Sequence, residues 1–185
     1  MSTRIALLRG VNVGGAGKLP MAAFRDLLTG MGLHRVETYI QSGNAVFESD
    51  LAAPDLEAMI RGGIATRFGF APETFVLGAH DLAAALHDHP FAGVDPRFVH
   101  VFFLKAPPQP DLAALRALAR PAGDAWHLAP RRFTLLTPGG FGTSKLAEVL
   151  PRYLPKPMTA RNLRTVAALQ AMVAARGAPG DLAQA

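Results

Sequence analysis

The sequence predicts an α+β fold built from two ferredoxin-like βαββαβ repeats with antiparallel sheets and a closing C-terminal helix. Three observations predict it. The alternation of strand-like and helix-like hydrophobic periods runs in the same order twice along the 185 residues. A hairpin signal, the Gly43-Asn44 turn between two β-rich runs, sits where the first repeat needs its central strand pair. The segment FVHVFFLK carries apolar residues on both of its faces, so the sheet that it belongs to is covered on both sides.

The first repeat, residues 1–79, opens with RIALLRGVN as a strand. A glycine-rich turn follows, then Pro20 at a favoured first helical position. Phe24, Leu27, Leu28 and Met31 recur at the spacing of one buried helical face, with Gly30 and Gly32 as stop signals. RVETYIQSGNAVFES then reads as a hairpin. Leu56, Met59, Ile60, Ile64 and Phe68 mark a second helix ended by Gly69, and ETFVLG is the fourth strand. Residues 80–97 connect the repeats through one short helix. The second repeat, residues 98–176, has FVHVFFLKA as a strand, PDLAALRALA as a helix and DAWHLA with RRFTLLTP as a hairpin. SKLAEVLPRYL is then a helix, and a final helix from about Leu163 to Arg176 buries Leu163, Val166, Leu169 and Val173. The end, 177–185, reads as a flexible tail.

Composition narrows the function classes. Half of the residues are hydrophobic, enough for a core at this length. There is no cysteine, which removes disulfides, thiolate catalysis and cysteine-ligated metals. No apolar run is long enough for a membrane span and no signal-peptide pattern opens the chain, so a soluble cytoplasmic protein is the expectation. The net charge of +5 is concentrated: within 131–164, Arg131, Arg132, Lys145, Arg152, Lys156, Arg161 and Arg164 face Glu148 alone. Such a stretch is either a solvated surface or the footprint of a protein that receives an anion.

The opening stretch LLRGVNVGGAGKLP invites a phosphate-loop reading, and the mechanics of that loop reject the strict form. A Walker loop needs a glycine where Asn12 stands and a Ser or Thr where Leu19 stands. The dinucleotide fingerprint lacks its third glycine. What remains is a flexible turn feeding a helix start, with Arg9 and Lys18 within reach of one point. Other chemistry is thin. His87 and His89 are two residues apart and cannot share a helical face, and no third ligand stands at a metal spacing. Ser42 lacks a nucleophile elbow, and no carboxylate pair stands out. The apolar second face of FVHVFFLK argues against open-sheet stacking of RNA bases.

Four ordered motifs, ALLRGVNVGG with KLPM, YIQSGNAVF, SKL and TARNLRTV, resemble those of the family catalogued as domain of unknown function 1697, over about residues 4–175. The resemblance implies two intertwined ferredoxin-like repeats and no established activity. Leu163 departs from the aromatic that members usually carry after Arg-Asn in the last motif. The motifs mark three groups of candidate ligand-binding residues: Arg9, Asn12, Gly14, Gly15 and Lys18; Gln41, Ser42 and Asn44; and Ser144, Lys145, Thr159, Arg161 and Asn162. Thr159 or Asn162 would cap the last helix. Whether the first two groups lie at one end of the sheet or at opposite ends depends on topology. The leading expectation is a binding protein for a small anionic or phosphorylated ligand, without metal or cofactor. The alternatives are a weak nucleic-acid binder using residues 131–164, and an enzyme of unknown reaction. The oligomeric state stays open.

Overall fold

The computed structural model describes residues 1–15 and 17–177, excepting the side chain of Arg120. The tail expected after the last helix lies outside the described residues from 178 onward. The chain divides into two units. The first comprises Met1–Ala83 and the chain from Ala167 on, and the second comprises Ala84–Val166.

In the first unit, β1 (Ser2–Leu8), α1 (Met21–Gly30), β2 (His34–Tyr39), β3 (Asn44–Ser49), α2 (Ala53–Phe68) and β4 (Thr74–Gly78) follow the βαββαβ order. The sheet order is β2-β3-β1-β4, antiparallel throughout. β1 stops four residues short of the run read from the sequence, because Gly10 and Asn12 take left-handed φ angles of 70° and 56° that a strand does not accommodate. α2 ends where Gly69, at φ 76°, returns its N–H to the carbonyl of Ala65. Phe24, Leu28, Phe47, Leu56, Ile60 and Ile64 form the core between sheet and helices. Ile5, Leu7 and Val46, on the opposite face of the sheet, are buried as fully. At about 1.5–3 kcal/mol for each large apolar side chain, this burial is the main force on the unit.

The second unit repeats the plan with α3 (Ala79–His87) leading in, then β5 (Val99–Leu104), α4 (Leu112–Ala119), β6 (Ala125–Ala129), β7 (Arg132–Leu136), α5 (Lys145–Val149) and β8 (Met158–Asn162). Its sheet order, β6-β7-β5-β8, is the same as that of the first unit. α6 (Leu163–Gly177) then runs back into the first unit. Two elements depart from the sequence reading. The helix read over SKLAEVLPRYL is only five residues of α-helix, followed by a 3-10 turn at Leu150–Arg152, because Pro151 has no N–H to continue the ladder. β8 was not read as a strand, since its Thr159 and Arg161 are polar. Both are nonetheless buried. β5 is buried on both faces, through Phe102 and Leu104 on the helix side and Val99, Val101 and Phe103 on the other. That matches its doubly apolar pattern. Among the described residues no helix is long and apolar enough to cross a membrane.

Candidate functional site

In a βαββαβ unit the first helix carries the chain back across the sheet, so β1 and β2 run in the same direction. The loop after β1 and the turn after β2 therefore share one end of the sheet. Asn12 joins them. Its Oδ1 accepts from the N–H of Leu19 at 2.8 Å, and its Nδ2 donates to the carbonyl of Leu19 at 2.9 Å and to that of Gln41 at 2.8 Å. The Asn12 N–H donates to the carbonyl of Gly17, closing the loop on itself. Asparagine tolerates the left-handed backbone better than most residues, which suits it to this post.

The turn is locked from its other side. The N–H of Leu8 donates to the carbonyl of Gly43 at 2.8 Å. A Cβ on Gly43 would lie 2.5 Å from Val11 Cγ2 and 2.8 Å from Leu8 Cβ, so only glycine allows this approach. Asn44 is fully buried, and its Nδ2 donates to the carbonyl of Tyr39 and to Ser42 Oγ. Ile40 carries a β-branched side chain at φ 47°, exposed to solvent by 49%. Branching at Cβ makes that conformation costly.

Of the first two groups, Asn12 thus spends its amide on joining the two loops, and Asn44 spends its amide on Tyr39 and Ser42 within the turn. Arg9, Lys18 and Gln41 are exposed. Gly14 and Gly15 hold φ angles of 61° and 79°, and an added Cβ on either would meet nothing within 4 Å. Their backbone is open on that side. No carboxylate occurs between Arg9 and Arg25 or between Thr38 and Phe47. Glu73 adjoins Arg9 through its backbone, its carbonyl accepting from the Arg9 N–H, and its carboxylate pairs with Arg61 at 3.6 Å.

The third group lies in the second unit. Ser144 caps α5, accepting from the Ala147 N–H at 2.9 Å while its hydroxyl donates to Asp124 Oδ2 at 2.6 Å, both side chains buried. Lys145 beside it is exposed. On β8, Met158 and Ala160 join the core on the helix side, and Thr159 and Arg161 lie on the other face. Arg161, 8% exposed, donates through Nη1 to Thr159 Oγ1 at 2.9 Å and to the carbonyl of Ala160 at 2.8 Å. Burial lowers its pKa to about 10, so it stays charged at neutral pH. Asn162, not Thr159, caps α6, through Oδ1 accepting from the Thr165 N–H.

The basic stretch is not a uniform surface. Arg132 pairs with Asp88 at 2.6 Å with its side chain 11% exposed, Arg161 is buried, and Arg164 bonds Asp95 at 3.4 Å. Arg131, Lys145, Arg152 and Lys156 are exposed, and so is Arg164 despite its pairing. Among the described residues no group of three or more His, Asp or Glu is placed to hold a metal ion. Two polar features escaped the sequence reading. His100 packs against Phe141 with ring centroids 4.2 Å apart and planes tilted by 35°, and partial burial lowers its pKa. Arg176, its side chain 2% exposed, donates through Nη2 to Glu37 Oε1 and to the carbonyl of Arg35, each at 2.6 Å. A lone arginine near a helix end gives no sequence signal of such burial.

A family model described as a protein of unknown function, DUF1697, matches residues 1–133. A conserved bacterial protein from Streptococcus pneumoniae has a similar solved structure, with 24% identity and a TM-score of 0.70 over 93% of this chain and 98% of that one. At that identity the likeness speaks for the fold alone. No curated protein matches the chain.

Proposed function

From the premise that the chain belongs to the DUF1697 family, which brings no activity with it, we propose that the loop end of the first unit binds a small phosphorylated or otherwise anionic ligand. The carrying observation is the bond from Asn12 to the Gln41 carbonyl, which unites two motifs far apart in sequence into one surface. Around that surface stand Arg9 and Lys18, the open backbone of Gly14 and Gly15, and the exposed amide of Gln41. Neither loop contains a carboxylate to oppose an anion. The cations supply charge, the glycine backbone permits close approach, Asn12 keeps the two loops in register, and Ser42 and Asn44 brace the turn from within. Ser144, Asn162, Thr159 and Arg161 act in this reading as internal supports of the second unit, leaving Lys145 as its exposed cation.

A nucleic-acid reading has less support, because Arg161 is buried, Arg132 is largely covered and paired with Asp88, and the exposed Arg164 is paired with Asp95, so fewer free cations stand in 131–164 than the sequence suggests. The test is thermal stabilisation by inorganic phosphate, a sugar phosphate and a mononucleotide, compared between the native protein and Lys18→Ala and Arg9→Ala. A ligand at about 100 times its Kd adds roughly 2.7 kcal/mol, a clear shift. The reading expects at least one phosphorylated compound to stabilise the native protein and each variant to lose most of the effect while folding normally. No stabilisation by any of the three, alongside salt-resistant binding to RNA or DNA, would overturn it.

A further inference from the structure

Each sheet has two edge strands, and three of these four edges are blunted. β2 is broken by a register shift between His34 and Glu37, and carries the charges of Arg35 and Glu37. On β4, the outward N–H of Val76 donates to Glu57 Oε1 and that of Gly78 to Asp81 Oδ2, each at 2.9 Å. On β8, Arg161 covers the carbonyl of Ala160, and Pro155 and Pro157 precede the strand. Charges, bulges, prolines and side chains laid on the outward groups are the devices that keep an edge from pairing with another chain.

β6 has none of them within its five residues, and only Pro130 after it interrupts the edge. It reads Ala-Trp-His-Leu-Ala, without proline, glycine, acid, lysine or arginine, and pairs with β7 in unbroken register over all five residues. Its outward groups follow from β7. Leu104 donates to the carbonyl of Arg131 and Thr137 to that of Phe98, so odd-numbered residues of this segment bond to β5. The alternate residues Arg132, Thr134 and Leu136 then bond to β6 through Ala129, His127 and Ala125. The N–H and C=O of Trp126 and Leu128 are left pointing away from the sheet. Among the described residues these groups have no hydrogen-bond partner.

The strand is also nearly palindromic. Antiparallel addition of a second copy about an axis through His127 sets Ala125 opposite Ala129, Trp126 opposite Leu128, and His127 opposite itself. In that register the Trp126–Leu128 pair is the hydrogen-bonded one, and it uses the very groups that β7 leaves over. Trp126, which stacks on Phe133 at 5.8 Å and is only half-buried, meets Leu128 of the second copy on the helix-covered face. The contact is self-complementary, as a twofold interface requires.

We propose that this protein forms a twofold dimer by antiparallel pairing of its β6 edges, joining the second-unit sheets of two copies into one continuous sheet. Because the chain contains no cysteine, a single introduced one reports only on its own copy across the axis. His127→Cys would stand in a non-hydrogen-bonded pair with Cα atoms about 4.5 Å apart, within disulfide reach. Ala125→Cys would lie about 13 Å from its counterpart, four residues out of register. The expected result is a native protein that sediments at twice the chain mass, His127→Cys that becomes mostly a covalent dimer under mild oxidation, and Ala125→Cys that does not. His127→Glu, beside the cationic Arg132, should keep its far-ultraviolet circular dichroism and sediment as a monomer, because it sets like charges face to face. A native protein that remains monomeric up to millimolar concentration, or equal linking of the two cysteine variants, would overturn the proposal.

Discussion

Asn12 holds Gln41 by its backbone: the side-chain Nδ2 donates 2.8 Å to the Gln41 carbonyl while the rest of the same amide is bonded to Leu19. One side chain thereby satisfies three backbone groups of two loops that meet only in the folded unit. Asn12→Ala leaves them unpaired and puts alanine at a left-handed φ, and should destabilise the protein by about 2–3 kcal/mol. Denaturant unfolding monitored by circular dichroism checks this. A loss below about 0.5 kcal/mol would mean that water replaces the clamp at no cost.

Ile40 points the other way. Its left-handed backbone is costly for a branched side chain that is half exposed and so contributes little burial. Ile40→Asn and Ile40→Gly should raise stability, by about 1 kcal/mol for the asparagine, since both residues tolerate this conformation. A decrease in melting temperature for both variants would show that the side chain is holding the turn.

Two half-buried histidines set the response to acid. Burial lowers the pKa of His100, and burial together with the neighbouring His127, His87 and Arg132 lowers that of His89, from the ordinary 6.5. The folded state therefore binds fewer protons than the unfolded chain. Stability from these groups is complete above pH 6.5 and is lost as the pH falls below it toward the folded-state values. Urea midpoints should be level from pH 7 to 8 and decline between 6.5 and 5. His100→Phe, which keeps a ring against Phe141, should shallow the decline, and an unchanged slope in that variant would remove His100 from the account.

Arg176 offers a comparison of charge with packing. Its guanidinium bonds Glu37 and the Arg35 carbonyl through Nη2, while its Nε and Nη1 are buried without hydrogen-bond partners among the described residues. Glu37 is exposed enough to stay solvated when the partner is removed. Arg176→Met should therefore cost less than Arg176→Ala, which adds a cavity to the loss of the bonds. Equal losses in a paired unfolding experiment would put the whole contribution in the hydrogen bonds.

The repeat architecture was legible because hydrophobic period is a local property: Phe24, Leu28, Leu56, Ile60 and Ile64 announce their helices and are buried in them. β8 was not legible, because Thr159 and Arg161 are buried by neighbours distant in sequence, and α5 was overextended because an apolar pattern continued past Pro151. At the candidate site the residue types were readable and their division of labour was not. Asn12 and Asn44 look in sequence like ligand groups, and only the fold shows their amides turned onto carbonyls of Leu19, Gln41 and Tyr39. That the two loops share one end follows from the crossover of α1, which no single motif records.

The return of α6 to the first unit bears on how the protein is born. A ribosome delivers the first unit's six strands and helices early, with Ile5, Leu7 and Val46 on a sheet face that the finished protein buries completely. Residues 167–177 of α6, including Arg176 and its anchor on β2, emerge only after the whole of the second unit. The nascent N-terminal half must therefore wait, incompletely covered, while the entire second unit is translated and can fold as an uninterrupted stretch. Vectorial synthesis favours the internal unit as the first to finish, and places completion of the first unit after the second has emerged.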